Sequence, residues 1–261
     1  MRMSEAILLR DDADGVATLT LNRPQARNAL SQAMLEALLD ALTALAEDKT
    51  ASVVVIRGAG PAFCAGHDLK EVRANAERAF HQKLFETCSA VMLAITRLPQ
   101  PVIAQIHGVA TAAGCQLAAT CDLAYAAASS RFATPGVNIG LFCSTPMVAL
   151  SRAVGNKAAM ELLLTGDMID AETALRMGLI NRAVPDDQLD ATVREVALKI
   201  AGKSPYTLKI GKEAFYRQKE MGLAEAYAFA GGVMTDNMQA LDAQEGIDAF
   251  LQKRHPTWCG R

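Results

Sequence analysis

Two patterns of hydrophobic residues alternate along the first half of the chain. Uninterrupted apolar runs at 52–58 (SVVVIRG) and 101–108 (PVIAQIHG) end in glycine and predict buried parallel strands, with a shorter strand at 122–126. Over 31–47 and 77–97, apolar residues recur every three or four positions, which predicts amphipathic helices. Strands that alternate with glycine-containing loops and helices predict an α/β fold with a mostly parallel sheet.

The two ends of the chain have different patterns. Apolar segments at 6–10 and 16–21 predict a hairpin, because Asp14-Gly15 between them is a favourable turn. The last third has helical spacing, interrupted by one short predicted strand at 179–185. The predicted helices of this part lie near 146–153, 156–164, 171–177, 186–202, 205–218, 222–236 and 240–252.

The chain length agrees with one large domain that carries a helical appendage. The 261 residues are 51% hydrophobic, which is enough for a substantial core. We predict a core over 1–185 and a helical C-terminal region over 186–261. The helical region packs on the core, on a neighbouring subunit, or on both.

Composition excludes several classes of function. A net charge of −2 without a basic run argues against nucleic acid as a partner. The six cysteines and four histidines lack the paired spacing of a metal site, so we predict no metal and reduced thiols. No apolar run is long enough to cross a membrane. The N-terminal segment has no hydrophobic signal region and is too acidic for a transit peptide, which predicts a cytoplasmic protein.

Two buried strands each lead through a glycine-containing loop into a helix, and these loops are the candidate site. Free backbone N–H groups at such turns can hold one oxygen between them as an oxyanion hole. The candidate donors are the amides of His67 in CAGHDLK and Ala113 in TAAGC. Small neighbours such as Ala65 and Gly114 let a carbonyl approach the backbone. The same pattern is also compatible with two tight connections that bind no ligand.

Several long motifs resemble the enoyl-CoA hydratase/isomerase (crotonase) family. They are PAFCAGHDLKEV, PVIAQIHGVATAAGCQLAATCDLAYA, RFATPGVNIGL, the segment from ALSRAVGNKAAMELLL to LINRAVP, and EGIDAFLQKRHPTW. The resemblance covers nearly the whole chain in order. It implies a ClpP/crotonase-like spiral of ββα units, a helical C-terminal trimerisation region, a homotrimer or dimer of trimers, and an acyl-CoA thioester as ligand. Coenzyme A enters as part of the substrate, and no separate cofactor is implied.

The family pattern also implies roles for individual positions. The amides of His67 and Ala113 would polarise the thioester carbonyl, and the segment from His67 to Lys70 would line the CoA channel. Lys253 resembles a C-terminal lysine that reaches CoA phosphates, often from a neighbouring subunit. The implied substrate-binding set is Ala65, His67, Asp68, Leu69, Lys70, Ala113, Gly114, Ser144 and Lys253.

The sequence departs from the family at its two catalytic carboxylates. Hydratases of the family carry one glutamate at the position of Gln116 and another at the position of Gly136. An amide has no accessible proton equilibrium and glycine has no side chain, so neither residue can replace a carboxyl group in hydration. Each lost acid or base typically costs about 10²–10⁴-fold. We therefore predict an intact backbone oxyanion hole with weak or absent two-glutamate hydratase activity.

Other groups at the site have open roles. The His67 ring acts as an acid or base, or only its backbone matters. Ser144 and Cys143 lie in a predicted loop that lines the acyl pocket of family members. Ser144 is either catalytic or a turn residue. Cys143 is either catalytic or a buried thiol. The alternative to an enzyme is a protein that binds or sequesters acyl-CoA without turnover. A serine hydrolase is disfavoured, because no GxSxG motif is present.

Overall fold

The structure is a computed structural model that describes residues 6–261. Strands alternate with helices through the first two thirds of the chain, as predicted. The strands are β1 (Leu8–Ala13), β2 (Val16–Leu21), β3 (Val53–Gly58), β4 (Val102–Ile106), β5 (Val109–Thr111), β6 (Leu123–Ala127), β7 (Arg131–Ala133), β8 (Ile169–Asp170) and β9 (Arg182–Val184).

Helices pack on both faces of the main sheet, join the strands and fill the last third of the chain. They are α1 (Gln32–Glu47), α2 (Leu69–Ala74), α3 (Arg78–Arg97), α4 (Ala113–Thr120), α5 (Ser144–Ala153), α6 (Asn156–Thr165), α7 (Ala171–Met177), α8 (Leu189–Ala201), α9 (Pro205–Gln218), α10 (Leu223–Gln239) and α11 (Leu241–Gln252). Ser31 caps the start of α1, since its Oγ accepts a hydrogen bond from the Met34 N–H at 3.3 Å.

Two sheets share the strands, and the chain passes repeatedly from one sheet to the other. The larger sheet has the order β1-β2-β3-β4-β6-β9 and is parallel except for the β1–β2 hairpin. The smaller sheet has the order β5-β7-β8. Because β4 leads to β5 and β6 leads to β7, each return of the chain adds one strand to both sheets. This repetition produces a spiral of ββα turns.

Very short elements escaped prediction from sequence. β5, β7 and β8 have three residues or fewer, which is too short for a recognisable hydrophobic period. α2 lies in a segment that the sequence predicts as loop. It forms because Asp68 accepts hydrogen bonds from the Lys70 and Glu71 amides and so caps the helix. Ser144, which the sequence places in a loop, is the first residue of α5.

The C-terminal third is helical, as predicted. α8 packs on the larger sheet, where Leu189, Val193 and Ala197 join a buried cluster with strand residues such as Val53 and Ile103. α8 begins after the predicted division at residue 186 but packs on the sheet of the core. The division itself stays a prediction. α10 and α11 are more exposed and show several large apolar side chains. Among residues 6–261, no helix combines the length and apolar character needed to span a membrane.

Candidate functional site

The segment 62–68 is held from both sides by neighbouring backbone. On one side, Cys64 pairs in parallel with Ala110 of β5. On the other, His67 pairs in parallel with Leu30, where the Leu30 N–H donates to Gly66 O at 2.8 Å and the Asp68 N–H donates to Leu30 O at 3.2 Å. These bonds fix the path of the chain through the first predicted donor.

The pairing with Leu30 also determines where the His67 amide points. In a parallel bridge of this kind, Leu30 bonds to the residues before and after His67, so the N–H of His67 itself faces the opposite side. Within residues 6–261 this N–H has no hydrogen-bond acceptor. The His67 amide is therefore a donor without a partner in the described chain.

The second predicted donor is the first residue of α4, whose N-terminal N–H groups have no partner within the helix. The preceding residue, Ala112, has φ +50° and ψ −118°, a conformation that non-glycine residues rarely adopt. This strained turn starts α4 directly after β5 and leaves the Ala113 N–H without an acceptor in the described chain. The start of the helix also adds a partial positive charge.

The two loops meet at glycines. Gly66 has φ +96°, and a Cβ atom there would lie 2.9 Å from the Ala112 Cβ and 3.4 Å from the Ala113 nitrogen. A Cβ atom on Gly114 would lie 2.1 Å from Cys64 O. The close approach of the loops thus requires glycine at both positions. The structure brings the amides of His67 and Ala113 to adjacent loops, an arrangement that suits an oxyanion.

Gln116 lies one turn into α4 and is buried, with 4% of its surface exposed. The Cys88 thiol of α3 donates to its Oε1 at 3.9 Å, a weak contact for such a buried amide. Gln116 therefore offers no acid or base at this point of α4.

Gly136 has no room for a side chain. A Cβ atom built there would lie 2.6 Å from Leu141 O and 2.9 Å from Cys143 Sγ. The Cys143 thiol therefore occupies the space in which a side chain at 136 would begin. Burial raises the pKa of Cys143, against a smaller opposing effect of the Gly136 amide, so the thiol is protonated at neutral pH.

The His67 ring lies against Phe85 of α3, edge to face, with ring centroids 5.4 Å apart and planes at 88°. Its Nε2 atom is buried without a hydrogen-bond partner among the described residues. Burial lowers the pKa of His67 to about 4, so the ring is neutral at physiological pH. A neutral imidazole can accept or donate one proton, but it carries no charge toward an anionic ligand.

The remaining predicted residues lie in different surroundings. Ala65 is anchored by its N–H to Arg27 O at 3.0 Å. Leu69 and Lys70 are exposed in the first turn of α2, next to the His67 amide. Lys253 caps the C-terminus of α11, far along the chain from these loops, and the single chain does not bring it to them by any described contact.

Sequence reasoning missed two residues whose side chains bond to the segment 62–68. Arg23 bonds to Asp68 Oδ2 at 2.9 Å, and the buried Asn28 donates to Ala62 O at 2.7 Å. Both lie in NRPQARNALS, between β2 and α1, a segment without a hydrophobic period. The polar residues just before α1 were the only sequence signal for these contacts. Their partners lie about 40 residues further along the chain, so a local pattern does not identify them.

No cluster that suits a metal ion occurs in residues 6–261. All six cysteines are free, and five of them are buried. Burial raises the pKa of Cys64, Cys88 and Cys115 to about 12, as expected for inert core thiols. Cys259 is exposed.

The spiral of two sheets defines an α/β protein in which two amides without acceptors lie on adjoining loops. A profile of the enoyl-CoA hydratase/isomerase family matches residues 11–261, and the chain belongs to this family. The crystal structure of an enoyl-CoA hydratase of Mycobacterium smegmatis is 55% identical, with a TM-score of 0.95 over 97% of this chain and 99% of that one. The predicted crotonase fold is confirmed.

Within this family, the chain is similar to enoyl-CoA hydratase domain-containing protein 3. The Rattus norvegicus protein of that name is 49% identical over 94% of this chain and 82% of the relative. The crystal structure of the human protein is 46% identical, with a TM-score of 0.94 over 97% of this chain and all of that one.

The predicted cytoplasmic localisation is wrong by this comparison. The relatives of this subfamily from rat, mouse, human and Xenopus laevis are all named as mitochondrial proteins. The prediction relied on the composition of the first residues, and a targeting segment is read by receptors rather than encoded in the fold.

Proposed function

We propose that this protein binds an acyl-CoA thioester through a backbone oxyanion hole and does not use the two-glutamate hydration mechanism. The thioester oxygen accepts hydrogen bonds from the His67 and Ala113 amides. Both amides lack acceptors and lie on loops that touch at Gly66. Family membership supports a coenzyme A thioester as the ligand, because the family is named for enoyl-CoA chemistry.

The observation that carries the proposal is that neither Gln116 nor Gly136 offers a side chain able to transfer a proton, while the two nearby amides have no acceptor. Gln116 is a buried amide, and the space of a side chain at Gly136 is filled by Leu141 O and Cys143 Sγ. Hydration needs a base for water and an acid for the α-carbon. Any turnover therefore proceeds through a thioester enolate or a carbonyl adduct and uses another proton-transfer group. Its chemical class stays that of the family, a lyase or isomerase.

The coenzyme A portion binds beside the same two loops. The segment from His67 to Lys70 lines the CoA channel beside the hole, with Lys70 exposed at the start of α2. Ala65 and Gly114 let the carbonyl approach, and Ser144 borders the acyl group. Lys253 reaches the CoA phosphates from a neighbouring subunit. No cofactor besides the thioester is required.

Assembly into a homotrimer or dimer of trimers is part of the proposal. Large apolar side chains of the C-terminal helices are exposed in the single chain, with Phe250 82% and Leu251 71% exposed. Such a patch favours burial against another copy. Sedimentation of the wild type should give a multiple of three chains, and Phe250→Glu should shift it toward monomer. A monomeric wild type would refute the assembly.

Two measurements test the proposed function. Titration calorimetry with crotonyl-CoA should give saturable binding, while hydration of crotonyl-CoA should be at least about 10²-fold slower than in two-glutamate hydratases. Hydration at ordinary hydratase rates would refute the mechanism, and absence of binding to a panel of acyl-CoA thioesters would refute the ligand.

Gln116→Glu is the informative restoration. The position is buried at the start of α4, so a glutamate there should have a raised pKa and can exchange protons. We expect a measurable gain in hydration over the wild type. Gly136→Glu is unsuitable as a partner, since its Cβ would clash with Leu141 backbone and move the loop. Gln116→Met keeps the size without a proton and serves as the matched control.

The second candidate function is binding or sequestration of acyl-CoA without turnover. It is favoured by the neutral, buried His67 ring and the protonated Cys143 thiol, since neither is a poised base at neutral pH. Mass spectrometry of acyl-CoA panels after incubation separates the two. A processed thioester supports the enzyme, and its loss in His67→Ala with binding retained assigns the step to the ring. Unchanged thioesters throughout support sequestration.

A further inference from the structure

We infer that Arg23 is a positioning residue for the oxyanion hole, acting through Asp68 on the backbone amide of His67. This inference rests on the proposed function. The Arg23 side chain makes no hydrogen bond to His67 or Ala113 themselves. Its guanidinium connects the two backbone segments whose pairing turns the His67 N–H toward the ligand.

The guanidinium group spans the bridge between Leu30 and His67. Its Nη1 donates to Ala29 O at 2.9 Å, on the segment that carries Leu30. Its Nη2 donates to Asp68 Oδ2 at 2.9 Å, on the segment that carries His67. Each contact therefore lies one residue away from the pair that sets the direction of the amide.

Asp68 is fully engaged on its side of the bridge. Its N–H donates to Leu30 O, and its Oδ1 caps α2 by accepting from the Lys70 and Glu71 amides. Burial alone would raise the pKa of Asp68, but the bonds from Arg23 and from the α2 amides outweigh burial and lower it. The carboxylate is thus ionised, and the paired side chains are only 21% and 16% exposed, which limits solvent screening.

Arg23 is itself held in place. The backbone N–H of Arg23 donates to Asn28 Oδ1 at 2.9 Å. Asn28 is fully buried and donates through Nδ2 to Ala59 O and Ala62 O. The arginine therefore starts from a fixed backbone, and its planar fork suits simultaneous contact with a carbonyl and a carboxylate.

The inference is tested by the stretching frequency of a ¹³C-labelled thioester carbonyl in bound crotonyl-CoA. An oxyanion hole polarises this bond and lowers its frequency relative to free ligand. In Arg23→Met we expect at least half of that shift to be lost and the dissociation constant to rise about five- to tenfold, as for one lost hydrogen bond. Arg23→Lys can keep one of the two contacts and should recover part of the shift.

Two further variants make the result decisive. Asp68→Asn retains an N-cap for α2 but loses the charge that receives Arg23, so it should reduce the shift as Arg23→Met does. It also decides the question if Arg23→Met does not fold. Arg194→Met breaks an exposed Arg–Asp pair with Asp14 and should leave both shift and affinity unchanged.

The outcomes are distinguishable from a failure of the proposed function. If the wild type binds no thioester or shows no frequency shift, the oxyanion hole itself is refuted. If the wild type shows the shift and both Arg23→Met and Asp68→Asn retain it with unchanged affinity, the positioning role is refuted. A uniform loss of thermal stability without a change in frequency also overturns it, because that is the signature of a purely structural pair.

Discussion

Substitution of Asp122 by asparagine removes the counter-charge of a buried lysine. Lys212 of α9 is 7% exposed, and its Nζ lies 2.7 Å from Asp122 Oδ2, where α4 leads into β6. The same Nζ donates to Ile95 O at 2.8 Å and to Gln100 O at 2.9 Å. This cluster holds the C-terminal helical region against the core that carries the site.

The magnitude follows from the burial of the lysine. Removing one partner of a buried ion pair typically costs about 3–5 kcal/mol, because the remaining charge is left without compensation. Burial lowers the pKa of Lys212 even beside Asp122, and Asp122→Asn should lower it further. The unfolded chain then binds a proton that the folded chain gives up, so the variant regains stability as the pH rises. We expect a cost of about 3–5 kcal/mol at pH 7 and a smaller cost at pH 9.

Urea unfolding at one fixed protein concentration measures this cost, since assembly would make stability depend on concentration. The double variant Asp122→Asn, Lys212→Met should be less destabilised than the sum of the single variants, because the buried charge is gone. Asp14→Asn, in an exposed pair with Arg194, is the control and should cost less than about 1 kcal/mol. A cost below 1 kcal/mol for Asp122→Asn, or strict additivity in the double variant, would refute the reasoning.

Three further substitutions test the site loops by urea or thermal unfolding. The pKa of His67 is lowered to about 4, so the wild type should lose stability as the pH falls from about 6.5 to 4. His67→Leu should remove roughly 2–3 kcal/mol of this loss. The same pH dependence of stability in the variant and the wild type would contradict this prediction. Ala112→Gly should stabilise the fold by about 1 kcal/mol by relieving the positive φ, and destabilisation would count against strain. Gly114→Ala should cost about 1–3 kcal/mol and weaken thioester binding, since its Cβ would overlap Cys64 O. The control Gly211→Ala has open space around it and should neither destabilise the fold nor weaken binding. Similar effects of the two substitutions would contradict the packing argument.

The larger elements were predictable because their hydrophobic periods extend over many residues. α1, α3, β3 and β4 lie within one or two residues of the predicted segments. The three-residue strands β5 and β7 were not, yet they bring the start of α4 to the site through the pairing of Thr111 with Ala133. Their formation depends on neighbours distant in sequence, which a local pattern does not contain.

The candidate site shows the same division. Glycine-containing loops after buried strands identified His67 and Ala113, and the amide at Gln116 was evident from the resemblance. That Gly136 cannot accept a side chain depends on Leu141 and Cys143, which approach it only in the folded chain. The neutral state of the His67 ring likewise depends on its burial beside Phe85.

The order of residues alone determined the fold class, the family and the absence of a carboxylate at Gln116 and Gly136, because these depend on local periodicity and on which side chains are present. The tertiary structure alone decided which amides remain free, which way they point and what holds them there. Arg23 and Asp68 are 45 residues apart, and only folding brings a guanidinium to the carboxylate beside the His67 amide. Directional contacts between distant segments are a property of packing, and a hydrophobic pattern carries no record of them.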